Sequence, residues 1–198
     1  DVRVFQPSES NHGLTNNEIN ELCGDKNGRM YIRSGNDLIK LDIYTEQFTC
    51  LRQKGVYGLF CKKDTLWVSC ADGIYYYTGQ GTELTFFARV QKGFVGRALY
   101  VDRETVWVVT RKYLVAISRE DPLRQEILLT LDKGNCILGD SSGNIWVGAW
   151  NGLYRVSPDR ETTAYVSHSG MGELSDNQVR CVLEDDFKHI WVGTFKGI

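Results

Sequence analysis

IWVGAWNGL at 145–153 and IWVGTFKGI at 190–198 are near copies of one another, and three more segments follow the same pattern: MYIRSGNDL at 30–38, LWVSCADGI at 66–74 and VWVVTRKYL at 106–114. The second-position aromatic is Tyr31, Trp67, Trp107, Trp146 and Trp191, so the copies stand 36, 40, 39 and 45 residues apart, and four of the five tryptophans share this phase. A second apolar segment precedes each copy: INELCGDKNG, YGLFCKKD, GRALYVDRE, CILGDSSGN and VRCVLEDDFKH. It places Asp25, Asp140 and Asp185 six residues before the aromatic in copies one, four and five. A third segment follows, such as LIKLDI, IYYYT or LYRVS.

A period near 40 built from strand-length clusters of β-branched and aromatic residues predicts β-propeller blades, four antiparallel strands per repeat. Helical repeats of similar period need long apolar stripes at helical spacing, which IWVG and LYRV do not supply. The runs are almost continuously apolar, as expected where both faces of a sheet are covered by neighbouring blades. Gly143 supplies the positive φ for the first hairpin, and Gly73, Gly152 and Gly197 do so for the second. With strands lettered A to D, copy four reads as A near 136–138, B at 145–149, C at 153–156 and D near 163–166. The B–C turn and the D-to-next-A connection then emerge on one face, and A–B and C–D on the other.

The expected fold class is therefore all-β: β-propeller blades of four antiparallel strands, incomplete at about four and a half blades. The blades fall at approximately 14–53, 54–92, 93–133, 134–174 and a truncated 175–198, and residues 1–5 have the position of strand D of a closing blade. About seven blades would take roughly 280 residues, so the chain reads as a piece of a larger propeller with open edges paired to another chain or frayed.

Composition narrows the function classes. The chain has 198 residues, 42% hydrophobic and 24% charged, with 25 acidic against 23 basic side chains and a net charge of -2, which offers no basic footprint for nucleic acid. No apolar run approaches the ~20 residues of a membrane span, and Asp1 opens the chain without a leader, so either a leader was removed or the sequence starts inside a longer gene. The six cysteines at 23, 50, 61, 70, 136 and 181 form no CxxC pair and read as small apolar fillers. Cys61 and Cys70 flank a hairpin, but pairing 61 with 66 sets 57 opposite 70, which argues against a disulfide there. His12, His168 and His189 lack metal-ligand spacing, and GxSxG and GxxxxGK are missing, so no metal, cofactor or catalytic residue is expected.

GLTNNEINELCGDKNGRMYI at 13–32 and ELSDNQVRCVLEDDFKHIWVGTFKGI at 173–198 resemble the two-component regulator propeller repeat, whose pattern runs GLS-x-N-x-V, an acidic strand end, then W-[IV]-G-T-x-x-G-L. Copies two and three depart from it: CKKD lacks the acidic-to-Gly turn, and RKYL stands where the second glycine belongs. Copy five carries Lys188 in place of the first-hairpin glycine. The resemblance implies the periplasmic ectodomain of an inner-membrane hybrid two-component system from a glycan-degrading Gram-negative bacterium. Its partners would be an oligosaccharide breakdown product and the rest of the same polypeptide: further blades, a β-sandwich, a membrane helix, a histidine kinase, a receiver and a DNA-binding domain. The full-length protein is expected to be a homodimer.

On the face bearing the B–C and D–A loops, the position after strand B holds Gly35, Ala71, Arg111, Trp150 and Phe195. Sugar recognition uses a flat aromatic against the C–H face of a pyranose and planar polar groups for its hydroxyls. The ligand-binding residues expected are Trp150, Phe195, Arg111, Arg97, Tyr57 and Asn177, with Asn17 and Asn135 nearby; Arg97 and Arg111 could accept an acidic sugar. Taken singly, each also fits a bland role, as loop packing or a local turn bond. Trp67, Trp107, Trp146 and Trp191 are read as core, and Asp25, Asp140 and Asp185 as fasteners of the A–B turn. The competing classes are a propeller glycosidase or polysaccharide lyase, from the faint Asp-box likeness of DSSGNIW at 140–146, and a protein-interaction propeller, which lacks its WD or kelch motifs here.

Overall fold

The computed structural model describes residues 4–7, 13–167 and 174–198. They form two compact units, Asp1–Gly96 and Arg97–Ile198. In the first, β1 (Ile19–Gly24), β2 (Arg29–Ser34), β3 (Asp37–Asp42) and β4 (Gln47–Arg52) make one antiparallel meander, and β5 (Val56–Lys62), β6 (Thr65–Cys70), β7 (Gly73–Tyr77) and β8 (Thr85–Ala88) a second. In the second unit, β9 (Gly96–Val101), β10 (Thr105–Thr110), β11 (Tyr113–Ser118) and β12 (Gln125–Thr130) form the third sheet. The fourth comprises β13 (Cys136–Gly139), β14 (Ile145–Ala149), β15 (Gly152–Val156) and β16 (Thr162–Tyr165), and β17 (Val179–Glu184) with β18 (Ile190–Thr194) leaves the last at two strands. These are the four blades and the partial fifth that the repeat predicts.

The strands follow from side-chain alternation. In β10 every residue is buried, because both faces of TVWVVT meet apolar neighbours. Trp107, Val109, Leu114 and Ala116 join Ile145, Val147, Ala149 and Val156 of the next blade in one core. The first unit repeats this arrangement with Tyr31, Leu38, Val56, Leu59, Leu66, Val68 and Tyr77. The other face of the first blade carries Leu14, Ile32, Ile39 and Leu41 and lines an apolar groove of about 560 Å³, together with the exposed Ile19, Leu22 and Ile43.

Turn chemistry explains how the degenerate copies keep the pattern. Gly143 has φ +84° as expected, but Lys63 and Lys188 adopt φ +54° and +68° in the corresponding hairpins of copies two and five. Left-handed backbone at a non-glycine residue costs roughly 1 kcal/mol, which a strand pair buried in a blade can carry. In copy three the missing second-hairpin glycine is replaced by a side-chain device: Thr110 Oγ1 accepts the backbone N–H of Lys112 and Tyr113 at 3.2 and 2.8 Å. Gly152 is different, because a Cβ there would lie 2.6 Å from the Tyr165 carbonyl oxygen at φ +135°.

Three expectations need amendment. Cys70 pairs with Val56 rather than residue 57, because a bulge between Val56 and Gly58 adds one residue to β5 while Cys61 still faces Leu66. Trp67 and Trp107 are 5% exposed, but Trp191 is 50% exposed. Trp146 stacks on Tyr165 of its fourth strand at 5.8 Å, and the two-stranded β17–β18 sheet has no such strand to cover Trp191. Of the 1–5 segment, residues 1–3 lie outside the described residues; Val4 and Phe5 belong to no strand, and Phe5 packs edge-on against Phe48 at 5.4 Å.

Candidate functional site

The recurring aspartates close the A–B turns and hold the recurring aromatics at the same time. Asp140 Oδ1 accepts the backbone N–H of Ser142 and Asn144 at 2.9 and 2.8 Å, while Oδ2 accepts the Asn144 amide and the Trp146 indole N–H, both at 2.8 Å. Asp185 repeats this for Phe187, His189 and the Trp191 indole at 2.9 Å. Asp25 does so for Asn27 and Arg29, with the Tyr31 hydroxyl donating at 3.1 Å. Asp102 joins the set at a spacing of five residues, taking the Trp107 indole N–H at 2.6 Å. Burial works against ionising Asp140, but the Trp146 and Asn144 donors outweigh it and hold the carboxyl below its usual range. For Asp185 the Trp191 donor comes first, and the pKa falls to about 2. These four carboxylates are consumed by the scaffold, one in each sheet except the second.

The opposite face carries the B–C turns and the connections into strand A. There the residue after strand B donates its backbone N–H to the segment leading into strand A: Gly35 to Glu18 at 2.7 Å, Ala71 to Gly55 at 2.8 Å, Trp150 to Asp132 at 2.9 Å and Phe195 to Gln178 at 3.0 Å. Within each sheet the B–C turn and the connection into strand A therefore lie at the same end, as the antiparallel order requires.

On this surface the second unit assembles a ridge of aromatic and cationic groups. The Lys133 ammonium lies 3.6 Å from the centroid of the Trp150 ring, and the Arg180 guanidinium 5.7 Å from it. Arg180 also sits 5.5 Å from the ring centroid of Phe195. Trp150 and Phe195, selected from sequence, are thus brought to one cation. Trp150 is half-buried and Phe195 is 67% exposed. Such cation–ring contacts contribute ~0.5–1 kcal/mol each at exposed sites, enough to orient the rings.

The other expected residues sort differently. Arg111 is exposed on the same loop set, and its carbonyl accepts the Gly134 N–H at 3.1 Å. Arg97 is exposed at the start of β9. Tyr57 is the bulged residue of β5 in the first unit. Asn177 uses its side-chain oxygen on the Ser167 N–H, and Asn135 donates to the carbonyls of Val179 and Arg180 at 3.3 and 2.9 Å, so both serve as loop latches. In copy one the turn bond comes from Asn16, whose Oδ1 accepts the Glu18 N–H at 2.8 Å.

Arg180 and Lys133 were missed. The placement of Arg180 follows from a bulge: β17 carries a register shift between Val179 and Cys181, as β5 does between Val56 and Gly58 and β1 between Ile19 and Glu21. Arg180, Tyr57 and Asn20 each follow the Val or Ile that opens strand A, and a bulge at that point redirects the side chain. Among the described residues no group of three or more His, Cys, Asp or Glu could hold a metal ion.

Comparison with known proteins agrees with this architecture. Residues 173–196 match the two component regulator propeller family. Two solved extracellular domains from B. thetaiotaomicron superpose on the chain at 18% sequence identity. That of the putative hybrid two component system BT4673 has a TM-score of 0.78 and covers 97% of this chain. That of the putative hybrid two component system BT3049 has a TM-score of 0.81 and covers 98%. Virginiamycin B lyase from Staphylococcus aureus matches at 10% identity and a TM-score of 0.69, covering 90% of this chain and 64% of its own. No curated protein matches the sequence. The chain spans 28% of the length of each of the two B. thetaiotaomicron domains. The fold is an all-β, incomplete propeller.

Proposed function

We propose that this chain is part of the extracytoplasmic ligand-sensing propeller of a hybrid two-component histidine kinase, and that the ligand is an oligosaccharide whose presence switches genes for glycan use. The observation that carries the reading is the family match at 173–196, set within a fold shared almost end to end with extracellular domains of putative hybrid two component systems. The chain's own chemistry supports a binding role. Aromatic rings and cations gather on the loop face, whereas Asp25, Asp102, Asp140 and Asp185 are tied into turns. The domain would lie in the periplasm on an inner-membrane protein, continue into further blades, a β-sandwich, a membrane helix and the kinase, and work as a homodimer. Trp150 and Phe195 would offer faces to pyranose rings, with Arg180, Lys133 and Arg111 supplying donors to hydroxyls or acid groups, and Arg97, Tyr57 and Asn177 contributing at the margins.

Thermal denaturation of the ectodomain against neutral and acidic oligosaccharides tests this. A saturable rise in melting temperature without turnover supports the sensor. The similarity to a propeller lyase keeps an enzymatic reading in view. Appearance of shortened or unsaturated sugar products would favour that reading and refute the sensor.

A further inference from the structure

Cys23 and Cys61 read from sequence as separate fillers 38 residues apart, yet their Sγ atoms lie 2.7 Å from each other. The pairing registers explain the meeting. Cys23 faces Tyr31 and Phe60 faces Trp67, so Phe60 holds the Cys23 phase in the second sheet. Cys61, one residue further, points from the opposite side of β5, towards β1. Both strands are held by antiparallel ladders to β2 and β6, and Glu21 Oε2 ties them together two residues away by accepting the Leu59 N–H at 3.0 Å. Both sulfurs are half-buried against the core of Tyr31, Leu66 and Val68. A disulfide spans about 2.05 Å, so closure shortens the sulfur separation by under ~1 Å.

We propose that Cys23 and Cys61 form an intramolecular disulfide that staples β1 to β5 when the protein meets a low-molecular-weight disulfide oxidant. With oxidised glutathione, one cysteine thiolate attacks a glutathione sulfur, forms a mixed disulfide and releases one glutathione thiolate. The second cysteine then attacks the first cysteine's Sγ in that mixed disulfide and expels the other glutathione as its thiolate. Two protein thiols are oxidised, and one glutathione disulfide is reduced to two thiols. The hydrogen bond with Cys61, then burial and the nearby Glu21 and Asp25 carboxylates, push the Cys23 pKa upward. A thiol held protonated reacts slowly, so this is a structural cross-link and not a catalytic dithiol. The inference stands apart from the sensor reading, since it uses neither the ligand nor the kinase.

The test is to incubate the reduced, folded protein with oxidised glutathione, block remaining thiols with N-ethylmaleimide, digest with trypsin and map the peptides without reductant. Thiols should fall from six to four per chain, with one linked species joining peptide 4–26 to peptide 55–62. The oxidised protein should melt at a higher temperature, and dithiothreitol should reverse the shift. Cys23→Ser and Cys61→Ser should each abolish the link while the other four cysteines remain free. Recovery of Cys23 and Cys61 as separate maleimide adducts, a lasting glutathione adduct on either, or a link to a different cysteine would overturn the proposal. The wild-type map decides even if a variant fails to fold.

Discussion

Asp140→Asn, taken with Trp146→Phe in a double-mutant cycle, tests whether the turn aspartates hold the blades together. The carboxylate accepts four N–H groups at 2.8–2.9 Å, two from the backbone of the turn and two from side chains. Hydrogen bonds to a charged acceptor contribute roughly 1.5–3 kcal/mol each, but Ser142 is exposed and Asn144 only half-buried, so water can replace part of what they lose. The discounted cost of Asp140→Ala is about 3 kcal/mol, and that of Asp140→Asn about 2, since the amide keeps one acceptor but turns a donor or a weaker acceptor towards the indole. Trp146→Phe removes the indole N–H while retaining an aromatic ring against Tyr165. Coupling between the two sites should be about 1–2 kcal/mol, measured by urea unfolding followed by far-UV circular dichroism. The pKa of Asp140 is depressed in the folded state. The stabilisation is therefore present above the unfolded carboxylate value of about 3.9 and lost as pH falls through the lower folded value. A coupling below ~0.3 kcal/mol, within the scatter of independent sites, would refute the reasoning.

Glu21 makes the opposite pH prediction. Burial pushes its pKa up to about 7 despite Arg33 and the Leu59 N–H, so its contribution is full below the unfolded value of about 4.3 and is lost as pH rises through 7. Unfolding free energy should decline from pH 5 to 8 in the wild type, and Glu21→Gln should flatten that slope; an unchanged slope would contradict it. Gly152→Ala should destabilise by about 2–4 kcal/mol, because the new Cβ meets the Tyr165 carbonyl at 2.6 Å. Gly143→Ala, whose nearest contact is Pro158 at 3.5 Å, should cost only about 1 kcal/mol; chemical denaturation of the two variants should preserve that ranking. Closing the 38-residue separation of Cys23 and Cys61 should add about 4 kcal/mol on chain-entropy grounds, seen as a higher urea midpoint for the oxidised protein.

The blades were legible because a propeller repeats one physical problem: each sheet needs apolar residues on both faces and a reversal at fixed intervals. The predicted strands of copy four fall within one residue of β13 to β16. Asp25, Asp140 and Asp185 were found as turn fasteners, but their grip on the Tyr31 hydroxyl and the Trp146 and Trp191 indoles was not, since spacing cannot show where the second carboxylate oxygen points. Asp102 escaped because its turn is one residue shorter. Burial of Trp191 was overestimated because its repeat phase says nothing of cover, and the β17–β18 pair offers no fourth strand of the kind that places Tyr165 over Trp146. At the loop face, residue type singled out Trp150 and Phe195, which the structure brings to one cation. Arg180, which approaches both rings, was hidden by a bulge that alternation along the strand cannot reveal. The thiol contact of Cys23 and Cys61 was hidden likewise, since it depends on the relative phase of two strands that are not partners in one sheet.

Five tryptophans make indole N–H resonances a direct report on the central claim. Three are tied to turn aspartates at positions 107, 146 and 191, whereas Trp150 stands among cations on the loop face. Titrating neutral and acidic oligosaccharides into the 15N-labelled protein should shift the Trp150 indole peak saturably and leave the three tied indoles in place, with the sugar recovered intact. A Trp150 peak unmoved by any oligosaccharide that stabilises the protein, or sugar cleaved during the titration, would contradict a sensing site on this face.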